Sequence, residues 1–148
     1  MSPTLKLNFI LMLFACFSAF SVNAGGGSGT EPPDDNVYVK QIYNNYDGDT
    51  FRAYIGSKTY HEPVRILGVD TPEIKGQCEY EKEKAIIAKK YLKLVLSKAK
   101  TIELVKPGRD KYDRVLAKVL VDGNDLSQLI IDSGNGRKWR GRRENWCD

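Results

Sequence analysis

The sequence predicts an α+β domain, a small five-stranded β-barrel with helices packed outside it. Three observations carry that prediction: short β-rich runs on either side of the middle of the chain, one long amphipathic stretch between them, and a length of 148 residues that suits a single core. The hydrophobic share of 41% and charged share of 28% are those of an ordinary soluble globular protein, and the length leaves no room for a second catalytic domain.

Residues 1–24 place Lys6 ahead of an apolar run from Phe9 to Phe20 and end in Val22-Asn23-Ala24, with small residues where a signal peptidase reads them. The apolar run falls short of the roughly 18–20 residues that span a bilayer, so a signal peptide is expected rather than a membrane span. Cys16 offers an alternative, lipoprotein anchoring. Phe14 is bulkier than such sites accept, so cleavage after Ala24 and export, periplasmic or secreted, are the expectation. Lys6 is the only charged side chain in this segment, and its removal lowers the formal charge of +4 by one. A mild basic excess suits a polyanionic partner without demonstrating one.

Residues 25–36, GGGSGTEPPDDN, lack apolar side chains and read as a flexible linker, which places the folded domain at 37–148. Within it, VYVKQIY (37–43) and TFRAYIG (50–56) are rich in β-branched and aromatic residues. They flank the turn Asp47-Gly48-Asp49 and predict a hairpin, with PVRILGV (63–69) as a third strand.

Residues 79–99 change period. Ala85, Ala88, Leu92, Val95 and Ala99 recur at three- and four-residue steps, while Lys and Glu fill the other face, which predicts a long amphipathic helix with a solvent-facing lysine side. TIELVK (101–106) and RVLAKVLV (114–121) predict two further strands around the polar loop PGRDKYD, and DLSQLIIDSG a short helix ended by Gly134. Three strands, a helix, two strands and a helix is the order of an OB-type barrel, although periodicity alone leaves other α+β folds open.

Export would put Cys78 and Cys147 in an oxidising compartment, where a disulfide is expected over two separate thiols. With no CxxC and His61 as the only histidine, zinc chemistry and a histidine-based nucleophilic triad are excluded.

Carboxylates and arginines gather in three places: Asp47-Gly48-Asp49-Thr50, RILGVDTPE from Arg65 to Glu73, and RDKYDR from Arg109 to Arg114. Each lies at the edge of a predicted strand, where a rigid scaffold holds loop residues in place. Phosphodiester hydrolysis requires a hard cation, a group that positions water, and cations that neutralise charge developing on phosphorus oxygens. Asp49, Asp70 and the Thr71 carbonyl are oxygen donors of the kind hard cations prefer, Glu73 is near them in sequence, and Arg65 and Arg114 carry donor forks that match phosphate. Taken singly, each piece has a plainer reading as a turn, a cap or a solvated charge.

The series DGDT, RILGVDTPE and DKYDR, in this order and spacing, resembles the signature of the staphylococcal nuclease (thermonuclease) family, over about Val37 to Gly134. The resemblance implies calcium held by Asp49, Asp70 and the carbonyl of Thr71, and Arg65, Glu73 and Arg114 as catalytic residues. It matches Lys111 and Tyr112 to positions that contact the phosphate and ring of a bound nucleotide. It further implies attack of water on phosphorus assisted by Glu73, departure of the 5′-oxygen, and 3′-phosphate products from DNA and RNA.

After Gly134 the sequence runs NGRKWRGRRENWCD, without the long last helix of the family's best-known member or the nucleotide-stacking tyrosines expected after the short helix. Trp139 is the candidate stacking surface in their place, with Arg137, Lys138, Arg140, Arg142 and Arg143 as phosphate contacts, an arrangement suited to single strands. The plainer alternative is a basic tail that only solubilises the end. Two rival readings of the whole are a non-catalytic OB-type binding module and an envelope protein whose calcium is structural. The first is disfavoured because no arginine or aspartate of the constellation is lost, the second because it leaves Arg65 and Arg114 without a task. No feature signals an obligate oligomer, and a monomer is expected.

Overall fold

The structure, a computed structural model, describes residues 35–147. The expected signal peptide at 1–24, Cys16, and residues 25–34 of the expected linker lie outside them. Among the described residues no helix is long and apolar enough to cross a membrane.

Strands β1 (Val37–Asn45), β2 (Thr50–Ile55) and β3 (His61–Ile66) form an antiparallel meander, with Ile42 opposite Ala53 and Phe51 opposite Val64. A two-residue strand β4 (Val69–Asp70) follows, then helix α1 (Glu79–Lys98), β5 (Ile102–Arg109) and β6 (Val115–Val121). β1 pairs with β5, β5 with β6, and β6 runs parallel to β3 through Val64–Val115 and Ile66–Ala117, which closes the five long strands into the OB-type barrel. Short strands β7 (Asn124–Asp125) and β8 (Arg137–Lys138) flank helix α2 (Leu126–Asp132), and β8 pairs antiparallel with β4.

Strict alternation fills the barrel. Phe51, Ala53 and Ile55 of β2 meet Val64 and Ile66 of β3, Leu104 of β5 and Val115, Ala117 and Val119 of β6 in one core. Helix α1 buries Glu81, Ala85, Ala88, Leu92 and Leu96, and of these Leu92 and Leu96 join that core. This corrects the phase read from sequence, since Val95 and Ala99 are only partly buried while Leu96 and the charged Glu81 are inside. Helix α2 seats Leu126 and Ile130, and is capped by Asp125, whose Oδ1 accepts from the Ser127 amide at 2.9 Å.

Two strand ends differ most from the sequence reading. The third strand stops at Ile66, turns through Leu67-Gly68, where Gly68 has φ +93, and resumes as β4. Strand β5 continues through Pro107 to Arg109 because a bulge between Val105 and Gly108, with Lys106 at φ +44, takes the proline out of the ladder. Helix α1 packs directly on the Asp47-Gly48-Asp49 turn: a Cβ on Gly48 would lie 2.6 Å from Ala88 Cβ and 2.9 Å from Thr71 Oγ1. Only glycine fits that approach, which seats the turn beside β4.

Candidate active site

The turn after β1, the end of β3, β4, the loop after β5 and the C-terminal tail surround one cleft of about 400 Å³. Asp49, Arg65, Asp70, Glu73 and Arg114 all line it, so the side chains singled out in three separate sequence segments meet in one place.

Within the turn, the two aspartates divide the work. Asp47 Oδ1 accepts from the amides of Asp49 at 3.1 Å and Thr50 at 2.8 Å, which fixes the backbone and frees Asp49 to face inward. Asp49 is 5% exposed; its Oδ1 accepts from Thr50 Oγ1 at 3.1 Å and its Oδ2 from the Thr71 amide at 3.1 Å. Burial pushes its carboxyl up to about 6, against the opposing pull of the Arg65 guanidinium.

Arg65 sits on β3 with its fork fully oriented. Nη1 donates to Ile66 O at 3.0 Å and pairs with Asp49 Oδ2 at 3.0 Å, while Nη2 donates to Val69 O at 3.0 Å. Arg114 is aimed from the other rim. Asp110 Oδ2 receives Arg114 Nε at 2.7 Å, and Asp110 Oδ1 receives the amides of Tyr112 and Arg114, so one carboxylate folds the loop and orients the arginine. Lys111 Nζ and the Arg114 guanidinium both lie near the Tyr112 ring, at 5.0 and 5.4 Å from its centroid. That ring is 68% exposed at the edge of the cleft.

Asp70 is held by the tail. Its Oδ2 accepts from Trp146 Nε1 at 3.1 Å and its Oδ1 lies 3.5 Å from Arg143 Nη1. Glu73 Oε1 accepts from Arg143 Nη1 at 2.8 Å, and the Glu73 amide donates to Glu81 Oε1 at 3.2 Å. Burial raises the carboxyls of both Asp70 and Glu73 above their ordinary values, with Arg143 opposing it in each case. Thr71 does not line the cleft, but its carbonyl lies 3.5 Å from the same Arg143 nitrogen, and its Oγ1 is buried without a partner.

Among the described residues no three His, Cys, Asp or Glu side chains form a ready cage for a metal. The donors do fit a hard cation in another way. Asp49 Oδ2 accepts from the Thr71 amide at 3.1 Å, which brings that carboxylate to the segment carrying Asp70 and the Thr71 carbonyl. Asp70 Oδ1 and the Thr71 carbonyl share one positively charged nitrogen of Arg143, a stand-in for a cation, and a set made only of carboxylate and carbonyl oxygens matches calcium chemistry.

The tail departs most from the sequence reading. Cys78 and Cys147 form the expected disulfide, with Cα atoms 5.9 Å apart. Trp139 lines the cleft at 39% exposure, but Arg140 does not; it points outward, 3.8 Å from Glu144. The tail arginine in the cleft is Arg143, and it contacts carboxylates. Arg137 also turns away from a phosphate role, stacking 4.0 Å over Trp146. Sequence reasoning missed Glu81, Trp146 and Asp110. Glu81 carried a visible signal, a charged residue in phase with Ala85, Ala88 and Leu92.

The family model described as staphylococcal nuclease homologue matches residues 63–145. The chain is 32% identical over 100 residues to "Endonuclease YncB" of Bacillus subtilis (strain 168), covering 62% of this chain and 43% of that protein. It is 30% identical over 100 residues to "SPbeta prophage-derived endonuclease YokF" of the same strain, covering 62% of this chain and 31% of that one. The chain thus spans less than half the length of either relative.

Proposed function

Because the chain belongs to the staphylococcal nuclease homologues, we propose that it is a calcium-dependent nuclease that hydrolyses phosphodiester bonds of DNA and RNA and leaves 3′-phosphate ends. The observation that carries this reading is the single cleft into which Asp49, Asp70, Glu73, Arg65 and Arg114 all open. The endonuclease names of the two relatives support it.

Asp49, Asp70 and the Thr71 carbonyl would hold the calcium, which when bound supplies a positive charge that polarises a phosphoryl oxygen. Glu73 orients the attacking water and accepts its proton as the new phosphorus–oxygen bond forms. Arg65 and Arg114 face the phosphoryl group from opposite rims of the cleft and neutralise the charge that builds on its oxygens. The bond to the 5′-oxygen breaks, and that oxygen leaves with a proton from solvent. Lys111 and Tyr112 bind the phosphate and ring of the nucleotide beside the cut, and Trp139 gives a second aromatic surface, which favours single strands over a stacked duplex.

We place the protein outside the cytoplasm, periplasmic or secreted, and acting as a monomer. The segment at 1–24 supports export, and the Cys78–Cys147 disulfide suits that setting. The test is digestion of single-stranded DNA, duplex DNA and RNA with calcium, with magnesium and with chelator, followed by end-group analysis. Calcium-dependent cutting to 3′-phosphate ends supports the proposal. Binding of nucleic acid without cutting under any of these conditions makes the chain a binding module instead.

A further inference from the structure

A second groove, of about 590 Å³, opens between β1 and α1. Tyr43 and Asn45 of β1 line one side, and Lys89, Lys93 and Leu96 of α1 the other. Groove and cleft adjoin along the chain, since Asn45 lines the first and Tyr46 and Asp47 the second. The buried Asn45 side chain ties them together, with Nδ2 donating to Lys89 O at 2.8 Å and to Asp47 O at 3.2 Å. One amide thus holds the helix side of the groove against the turn that carries Asp49.

Both sides of the groove are free of acids. Residues 36–46 and 84–100 contain no Asp or Glu. Among the described residues the lysine ion pairs are those of Lys58, Lys82 and Lys118, so Lys89 and Lys93 keep their charges unpaired. Four residues apart on one helix, these two stand on the same face, about 6 Å from each other along the axis. Opposite them, the Tyr43 ring stacks on His61 with centroids 4.1 Å apart, and Tyr54 meets the same imidazole edge-on at 5.8 Å. This pile braces Tyr43 and still leaves it 56% exposed. Tyr46, 55% exposed, follows three residues later in the cleft, so each depression has an aromatic surface, at most about 11 Å apart along the backbone.

We propose that the β1–α1 groove is a second nucleic-acid site that holds the single strand beyond the cleft, with Lys89 and Lys93 on its phosphates and Tyr43 stacked on a base. The proposal rests on the nuclease reading for its occupant and deepens it. A cleft of about 400 Å³ is at the small end of ligand pockets, whereas an OB-type barrel engages about 4–16 nucleotides of a single strand. The rest of that strand needs a path of cations and aromatic faces without carboxylates. The tail supplies less of it than its charge suggests, with Arg137 stacked on Trp146 and Arg140 beside Glu144. The lysine face that the period of α1 assigns to solvent thus acquires a task, and stacking on Tyr43 selects unpaired bases over a duplex.

The experiment measures the fluorescence anisotropy of a labelled single-stranded oligonucleotide of about twelve nucleotides, in chelator so that nothing is cut, between about 50 and 200 mM salt. Wild type is compared with Lys89→Ala/Lys93→Ala, with Tyr43→Ala, and with Lys98→Ala/Lys100→Ala, which removes the same charge outside the groove lining. Loss of two phosphate contacts weakens binding about tenfold at the lower salt and makes the salt slope shallower by about 1.4. Tyr43→Ala weakens binding at least about fivefold and keeps the slope, because stacking releases no counterions. The control pair keeps the wild-type slope. In calcium, Lys89→Ala/Lys93→Ala raises KM for the oligonucleotide with kcat unchanged, and leaves cleavage of a dinucleotide, which the cleft alone accommodates, as in wild type.

Wild-type affinity and slope in Lys89→Ala/Lys93→Ala overturn the proposal. So does an equal loss in the control pair or on the dinucleotide, since the lysines then act through net charge alone. Wild type that binds no oligonucleotide overturns it as well. If Tyr43→Ala melts too early to assay, the lysine pair, whose side chains are not buried, decides. Wild type that binds through these lysines and cuts nothing in calcium defeats the nuclease reading and leaves the groove standing as a nucleic-acid site.

Discussion

Arg143 Nη1 lies 2.8 Å from Glu73 Oε1 across 70 residues of sequence, so the end of the chain supplies a wall of the cleft that the barrel opens. The barrel itself contributes the rest. Arg65 comes from β3, Arg114 from the loop between β5 and β6, and Asp49 from the turn between β1 and β2. The parallel β3–β6 contact brings the first two of these elements side by side, with Arg65 opposite Leu116.

The arginines should be separable from the fold. Arg65→Ala removes a fork that holds Asp49 and faces the cleft, and the cleavage rate at saturating calcium is expected to fall about 10²–10³-fold, as for loss of one preorganised donor in a catalytic site. Single-turnover cleavage is the measurement, with circular dichroism checking that the barrel persists.

The Gly48 approach gives a stability prediction with its own rescue. Gly48→Ala drives a methyl into Ala88 and is expected to cost about 1–3 kcal/mol in urea unfolding. Ala88→Gly in the same chain removes the nearest obstacle and should recover part of the loss. Additive losses in the double variant would contradict the steric account.

The disulfide closes a span of 69 residues, and replacing Cys78 and Cys147 by alanine is expected to lower the unfolding free energy by about 2–4 kcal/mol in the chain-entropy account. The urea midpoint checks this.

Acid sensitivity should have a source outside the cleft. Glu62 is buried on β3, which by itself raises its carboxyl, but Arg109 and Lys58 override burial and hold it below the ordinary value of 4.5. A carboxylate depressed in the folded state contributes stability that is full above that value and is lost as pH falls through the folded pKa. Glu62→Gln should therefore flatten the decline in thermal midpoint below about pH 4.5 while lowering the midpoint at neutral pH. An unchanged acid limb would contradict this assignment.

Much of the barrel was legible because its signals are local. Alternation in TFRAYI and RVLAKVLV, and the helical period after Glu79, need no partner to be read. The paired two-residue strands β4 and β8 were not legible, since each exists only because the other lies beside it. The run of β5 past Pro107 was hidden for a similar reason: a bulge made by its neighbours takes up the proline. In the site, Asp49, Arg65, Asp70, Glu73 and Arg114 do meet at one cleft while Thr71 lies outside its lining, whereas Arg140 and Arg143 were indistinguishable as charges on a basic tail. Contacts with Asp70, Glu73 and the buried Glu81 tell them apart, and all act across more than 60 residues.

The most direct test of the central claim is the cleavage rate of one defined phosphodiester bond by wild type and Glu73→Ala, at saturating calcium and with matched thermal midpoints. The account predicts cutting by wild type and a rate at least about 10²-fold lower in the variant, the scale of a lost general base. Equal rates in the two proteins, or no cutting by folded wild type, would contradict it.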